Sequence, residues 1–324
     1  MSIQKPENIV VRKNKTLFAL VLILFLLLIP PLFFPEFWVC ISTEILILGL
    51  AGMGVNILMG YGGMLPFGHA VFYAIGAYTT AILLKKTSVN PIIVLISAPL
   101  IASVFGFIFG LVLARLHGFY FAMVSTSFTM LVWTILRKWY GLTGGDDGLP
   151  GVPIPEILRG SVRSYIFVLI VVIISLLAIW KILYSPFGWT LRAIRENIDR
   201  CLFIKINVYK HRLVAIIISS FFTGLAGSLF VIYGHSAFPE YSYWLKSTEF
   251  AIVAILGGMY TFIGPILGSA TFIILQTLIT SHTLYWPFFL GLIICGIVLW
   301  LPDGIAGIQI ENLLKSYKWR ENSK

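Results

Sequence analysis

Residues 250–302 read FAIVAILGGMYTFIGPILGSATFIILQTLITSHTLYWPFFLGLIICGIVLWLP, 53 consecutive residues without a charged side chain. One membrane crossing takes about 20 apolar residues, so the stretch is too long for one helix. Upstream as far as Arg212 the only charges are Glu240, Lys246 and Glu249. The 324-residue chain is 59% hydrophobic and 11% charged, against about 45–50% and about 25% in soluble domains. Lipid must therefore be part of its solvent. The fold class is all-α, a polytopic bundle of transmembrane helices.

Inside the uncharged stretch, Gly257-Gly258, Gly264-Pro265 and His282–Pro287 interrupt the apolar run. They divide it into short pieces at roughly 249–259, 263–281 and 285–301, the pattern of transporter helices that break within the membrane. Working back toward the N-terminus, 212–233, 164–183, 118–136 and 91–114 each read as one span. Residues 45–84, without a charge, hold two spans interrupted at Gly60–Gly68. Residues 17–35 follow a basic stretch and end in Pro30-Pro31-Leu32-Phe33-Phe34-Pro35, with no small-residue cleavage site, so they read as a retained anchor.

The formal charge of +10 is not spread evenly. Lys5, Arg12, Lys13 and Lys15 precede the first span, and Lys315, Lys318, Arg320 and Lys324 close the chain. Lys181, Arg192, Arg195, Arg200, Lys205, Lys210 and Arg212 crowd one hydrophilic loop and its flanks. Basic residues near span ends mark the cytoplasmic side. The charge therefore reports orientation and does not form a nucleic-acid surface. The count is about ten spans, some of them broken or half helices, with both termini cytoplasmic. They form a single domain: a tail 1–16, six spans in 17–183, a cytoplasmic loop 184–210, four spans in 211–301 and a tail 302–324.

Counting also excludes chemistry. Cys40, Cys201 and Cys295 lie far apart, the five histidines lack metal spacing, and no Lys follows a Gly, so no phosphate-binding P-loop is present. No metal or other cofactor is expected. Glu44 and Glu249 lie near outer span ends, leaving no carboxylate in mid-span. Ion-driven carriers often need such a group, which points to an energy source outside this chain. Glu44 and Glu249 each open a Gly-punctuated apolar pair, a weak echo of duplicated halves.

Three stretches offer chemistry. In Gly60-Tyr61-Gly62-Gly63-Met64-Leu65-Pro66-Phe67-Gly68-His69-Ala70, four glycines and a proline forbid a regular helix. Two readings are open: a tight turn at the membrane surface, or a break whose following helix, Pro66 to Leu84, aims free N–H groups at a solute. Asn56 and His69 are the most polar side chains here, facing either a water path or a neighbouring helix backbone. Ser125, Thr126, Ser127, Thr129 and Gln276 pose the same choice. In the loop 184–210, Ser185 suits a cap, Pro186 a first helical position and Asn207 a stop. Leu191, Ile194, Ile198 and Leu202 share one face, with Arg192, Arg195, Glu196, Asp199 and Arg200 opposite. Such a helix lies on anionic lipid or docks into a partner's groove. The third stretch, Leu142 to Pro153, reads as a structured outer turn or a partner contact.

Together these stretches resemble a known family. Gly60-Tyr61-x-Gly63-x-Leu65-x-Phe67-Gly68-His69-Ala70-x-Phe72 with Gly76-Ala77-Tyr78 is similar to the motif of branched-chain amino acid ABC importer permeases, the Liv type. The match continues in Leu142-Thr143-Gly144-Gly145-x-Asp147-Gly148-Leu149, in Ser185-Pro186-Phe187-Gly188 with Arg192-Ala193-Ile194-Arg195-Glu196-Asn197, and in Leu256-Gly257-Gly258-Met259 with Gly264-Pro265-Ile266-Leu267-Gly268. The resemblance implies a non-enzymatic transport subunit in a bacterial or archaeal inner membrane. It implies three partner types beside membrane lipid: two cytoplasmic ATP-binding subunits, a second, paralogous permease, and a soluble binding protein outside. Asn56, Gly62, Gly63, Gly68 and His69 are then expected on the translocation path. Arg192, Arg195, Glu196 and Asn197 are expected on a coupling helix docked into an ATPase. Two positions depart from the family: Pro66 stands where Ser is usual, and Lys205 where Gly is usual near the end of the coupling stretch. The family also includes importers of urea and other small solutes, and a stand-alone ion-coupled carrier is the remaining alternative.

Overall fold

The computed structural model describes residues 35–87, 91–154, 158–301 and 304–307. The expected span 17–35, apart from Pro35, and most of the tail 302–324 lie outside the described residues. Helix α1 (Glu36–Asn56) runs into a π-helical turn, Ile57–Tyr61. There follow α2 (His69–Lys86), α3 (Pro91–Leu113), α4 (Gly118–Lys138), the single turn α5 (Tyr140–Thr143) and α6 (Ser161–Leu183). The second half holds α7 (Pro186–Glu196), α8 (Ile198–Phe203), α9 (Val208–Gly234), α10 (Trp244–Gly257), α11 (Gly264–Thr280) and α12 (Trp286–Trp300). Among the described residues six segments are long and apolar enough to cross a membrane: α1 with its π turn, α3, α4, α6, α9 and Trp286–Gly307, which begins with α12. Helices α2, α10 and α11 are shorter, at 18, 14 and 17 residues.

Helices α1 and α9 form the centre, with 78% of their apolar windows buried against 28% for α3 and 33% for α4. Small residues let the backbones meet. A Cβ on Gly76 of α2 would sit 2.0 Å from the carbonyl oxygen of Gly224 on α9, and one on Gly227 would sit 1.9 Å from that of Tyr73. Such contact is how membrane helices gain dispersion energy without a hydrophobic drive. Hydroxyls then cross the seams: Ser269 Oγ donates to the Ile45 carbonyl at 2.9 Å, and Thr80 Oγ1 to Ser228 Oγ at 2.7 Å. The outer faces of α3, α6 and α12 expose Ile96, Val104, Ile170, Ile174, Leu292 and Leu299, a surface suited to lipid.

One end of the bundle carries a small cap. Strands β1 (Leu149–Pro150) and β2 (Ser236–Ala237) pair antiparallel, Leu149 opposite Ala237. Gly144, Gly145 and Gly148 hold φ of 79°, 62° and 64°, left-handed positions that L side chains avoid. This accounts for the glycine spacing of the Leu142–Leu149 stretch. Asp146 accepts a charge-assisted hydrogen bond from Arg137 Nε at the end of α4, which helps hold the turn. The structured-turn reading of this stretch fits. The described residues are thus helical, apart from this two-residue pairing and the turns.

Two boundaries differ from expectation. Helix α2 begins at His69, not Pro66: Gly68 is its N-cap, at φ −113° and ψ 5°, and packs so closely on α4 that its Cβ would sit 2.6 Å from the Ser125 carbonyl oxygen. Helix α10 begins at Trp244, not 249. Lys246 and Glu249 pair at 2.8 Å one turn apart, so both charges enter the helix neutralised.

Candidate functional site

The end opposite the β pair carries the basic loop, and here the sequence pattern was only half right. Leu191 and Ile194 are fully buried, as an amphipathic α7 requires. The helix does not continue to Asn207, however. Asn197 takes φ −160° and ψ 107°, ends α7, and caps α8 by accepting the Arg200 N–H on Oδ1 at 2.9 Å. Asparagine competes for backbone donors in this way, so it breaks a helix whose apolar period runs on. The expected face is therefore split. Leu202 is 54% exposed and Phe203 87%, so they point away from the core that holds Leu191. Ser185 precedes α7, but its hydroxyl donates backward to Ile182 instead of capping.

Asn207 is not a helix stop; it is the N-cap of α9, accepting the Lys210 N–H at 3.0 Å. The stop is Lys205, at φ 60°. Ile206 N–H bonds Cys201 O and Lys205 N–H bonds Leu202 O, both at 2.9 Å. This is the paired closure of a helix C-terminus that normally uses glycine. Glycine would adopt this backbone freely, and Lys205 occupies it at a conformational cost. Lys205 does not extend the helix.

Arg192 and Arg195, expected on the solvent face, turn back onto the chain. Arg192 lies 4.8 Å from the Tyr61 ring centroid, 5.4 Å from Tyr184 and 4.4 Å from Trp189. Arg195 Nη1 donates to the Gly60 carbonyl, and its guanidinium lies 5.0 Å from the Tyr260 ring. A guanidinium is weakly hydrated and stacks well on aromatic faces, which favours this inward choice over water. Glu196 and Asn197 remain exposed. Tyr61 and Tyr260 belong to the two broken segments, 57–68 and 258–263. Sequence reasoning passed over both, although each is a tyrosine within two residues of a glycine in an interrupted apolar run.

These segments touch each other. A Cβ on Gly60 would lie 1.9 Å from the Met259 carbonyl oxygen, and Asn56 Nδ2 donates weakly to the Thr261 carbonyl at 3.4 Å. Asn56 Oδ1 is buried without a partner among the described residues. Gly63, at φ 66°, is exposed beside α7, where its Cβ would meet Arg195 Cγ at 2.6 Å. Gly62 lies within the same turn, its N–H on Leu58 O at 3.1 Å.

Gly68 and His69 lie elsewhere. His69 Nε2 is 2.6 Å from Ser219 Oγ, which itself donates to the Gly54 carbonyl, while Nδ1 has no partner among the described residues. The Ala70 N–H donates to Ser247 Oγ on α10 at 2.8 Å. Ser219 stands eleven residues above Val208 at the start of α9, about 16 Å at 1.5 Å per residue. Helix α2 therefore starts deep in the bundle. Residues 62–68 climb from α7 to that depth, where Pro66, His69, Phe109, Phe121 and Ser125 line a small apolar cavity. The five expected path residues thus fall into two groups: Asn56, Gly62 and Gly63 near α7, and Gly68 with His69 at depth. Ser125 and Thr129 spend their hydroxyls on their own helix.

Residues 38–301 match the family described as branched-chain amino acid transport system, permease component. Curated relatives include the high-affinity branched-chain amino acid transport system permease protein LivM of Salmonella typhimurium, 28% identical over 85% of this chain and 72% of the relative. The protein of that name from Escherichia coli is 28% identical over 82% of this chain and 69% of its own. A probable branched-chain amino acid transport permease protein LivM of Methanocaldococcus jannaschii is 25% identical over 75% and 81%. No solved structure shows a significant match.

Proposed function

The chain belongs to the branched-chain amino acid transport permease family, and from that premise we propose how its geometry serves transport. It is a multi-pass membrane subunit, a transporter component and not an enzyme, and its cargo is a branched-chain amino acid. The helices α1, α2, α3, α4, α6, α9, α10, α11 and α12, with 17–35, make ten crossings and leave both termini cytoplasmic in an inner membrane. The single permease domain keeps the division into six spans, the loop 184–210 and four spans. Two ATP-binding subunits act on that loop, a second permease completes the path, and a binding protein outside delivers solute.

The observation that carries this reading is the pair of arginines on α7. Arg195 holds the Gly60 carbonyl and the Tyr260 ring, and Arg192 lies among Tyr61, Tyr184 and Trp189. Movement of α7 must therefore move both broken segments. Glu196, Asn197, Leu202 and Phe203, exposed on the other side, are left to meet the ATPase. Under this reading Arg192 and Arg195 transmit the stroke and do not themselves dock. Asn56, Gly62 and Gly63 lie where it arrives, and Gly68 and His69 lie further along the path.

The test is uptake of labelled leucine in cells with and without the gene, challenged by excess isoleucine, valine, threonine or urea. The reading expects deletion to abolish uptake and the aliphatic amino acids to compete. Unchanged uptake on deletion, or competition by urea alone, would move the cargo to another small solute.

A further inference from the structure

Arg212, five residues into α9, is a buried cation with no carboxylate paired to it among the described residues. Its side chain is 4% exposed, Nη1 donates to the Leu116 carbonyl at 3.1 Å, and Nε has no partner among the described residues. That bond brings the guanidinium to the turn that opens α4. His117 caps this helix by position but its side chain accepts none of the helix's first N–H groups, and the first turn, Gly118 to Phe121, contains no acid. The free N–H groups there present a positive end. Arg115 and His117 are exposed on the same turn, Arg115 lying 5.6 Å from the Tyr209 ring. Partial burial and then the Arg212 charge lower the basicity of His117, against a backbone hydrogen bond at Arg115.

We propose that this turn binds the phosphodiester headgroup of an anionic membrane lipid, held by Arg212 from below, the α4 amides from the side, and Arg115 and His117 from above. A buried guanidinium keeps its charge, and one carbonyl does not neutralise it, so an anion is the partner that the chemistry lacks. Lipid, not free phosphate, is the occupant because the site opens onto an apolar surface. Phe119 is 73% exposed and Tyr120 71%, next to exposed Leu111 and Val112 at the end of α3. Acyl chains lie against such a surface while the headgroup stays at the turn. Nothing in the transport reading requires this site.

The test uses the full chain in its intact importer complex, purified in detergent and examined by native mass spectrometry. Phosphatidylglycerol and phosphatidylcholine with the same acyl chains are titrated separately. The wild type is expected to retain phosphatidylglycerol at least about tenfold better, with millimolar inorganic phosphate failing to displace it. Arg212→Gln should remove most of that preference. The surface variant Arg115→Gln with His117→Gln, which leaves the buried bond intact, should weaken it severalfold and decides the matter if Arg212→Gln does not assemble. Equal retention of the two lipids, an unchanged preference in the variants, or displacement by inorganic phosphate would each overturn the assignment.

Discussion

Replacing Arg195 by methionine removes the one contact that joins α7 to both broken segments at once, while keeping a long apolar stem. A charged donor on a neutral carbonyl contributes about 1.5–3 kcal/mol, and a partly exposed guanidinium over a tyrosine ring about 0.5–1 kcal/mol. Together the Gly60 and Tyr260 contacts amount to about 2–4 kcal/mol of linkage. At about 1.4 kcal/mol per tenfold, that is a ceiling between about thirtyfold and several hundredfold in transmission. Arg195 is half-buried, so water replaces part of the loss, and about tenfold is the working expectation. The measurement is leucine transported per ATP hydrolysed by the complete importer in proteoliposomes. The ratio should fall about tenfold in Arg195→Met while hydrolysis continues. Arg195→Lys should recover only part, since a point charge cannot both reach the carbonyl and stack on the ring. A ratio within twofold of wild type in Arg195→Met, with normal complex yield, would show that α7 drives the path through other contacts.

Gly227→Ala places a methyl 1.9 Å from the Tyr73 carbonyl oxygen; overpacking of this kind costs about 1–3 kcal/mol, so the melting temperature in detergent should drop by several degrees. Lys205→Gly should leave stability unchanged or raise it by about 1 kcal/mol, because it relieves a left-handed L residue, whereas Lys205→Val should lower it; equal melting of all three proteins would contradict the helix-stop assignment. Ser219→Ala removes the hydroxyl that bridges the Gly54 carbonyl and His69 Nε2, leaving the buried imidazole nitrogen without that partner, and should cost about 1–3 kcal/mol, read as earlier unfolding in a chemical-denaturant titration. At Asp146 the hydrogen bond and charge of Arg137 hold the carboxyl below its ordinary range. A lowered folded value means that its contribution is present above about pH 4, the unfolded carboxyl's range, and is lost as pH falls through the folded value. Wild type should therefore lose more stability between pH 6 and pH 3 than Asp146→Asn, and equal losses would sever that link.

What could be read from residues alone follows from how far each interaction reaches along the chain. Span positions rest on composition averaged over about 20 residues, so α3, α4, α6 and α9 fell close to their expected limits. The breaks at Gly60–Gly68 and Gly257–Gly264 were equally readable, because glycine and proline act on their own backbone. The same locality explains the errors in the basic loop. An apolar period of 3.6 survives a break at Asn197, so periodicity extended the helix through a residue that was capping the next one. Lys205 gave no local sign of a left-handed backbone; only its position in the family pattern, where glycine is usual, did so. Arg192 and Arg195 were placed in water because charged residues on an exposed helix normally stay there. Their partners, Tyr61 and Tyr260, lie well over a hundred residues before and some 65 after them, and only the packing of α1 against α10 and α11 brings those rings to one place. The motif at Ser185–Asn197 does fall on a helix, α7, yet a motif names residues without saying which way they point. Here the direction decides the mechanism. Arginines turned outward would be docking residues; turned inward onto two broken segments, they make α7, under the proposed coupling, the handle of those segments, which a partner gripping only its exposed side would move.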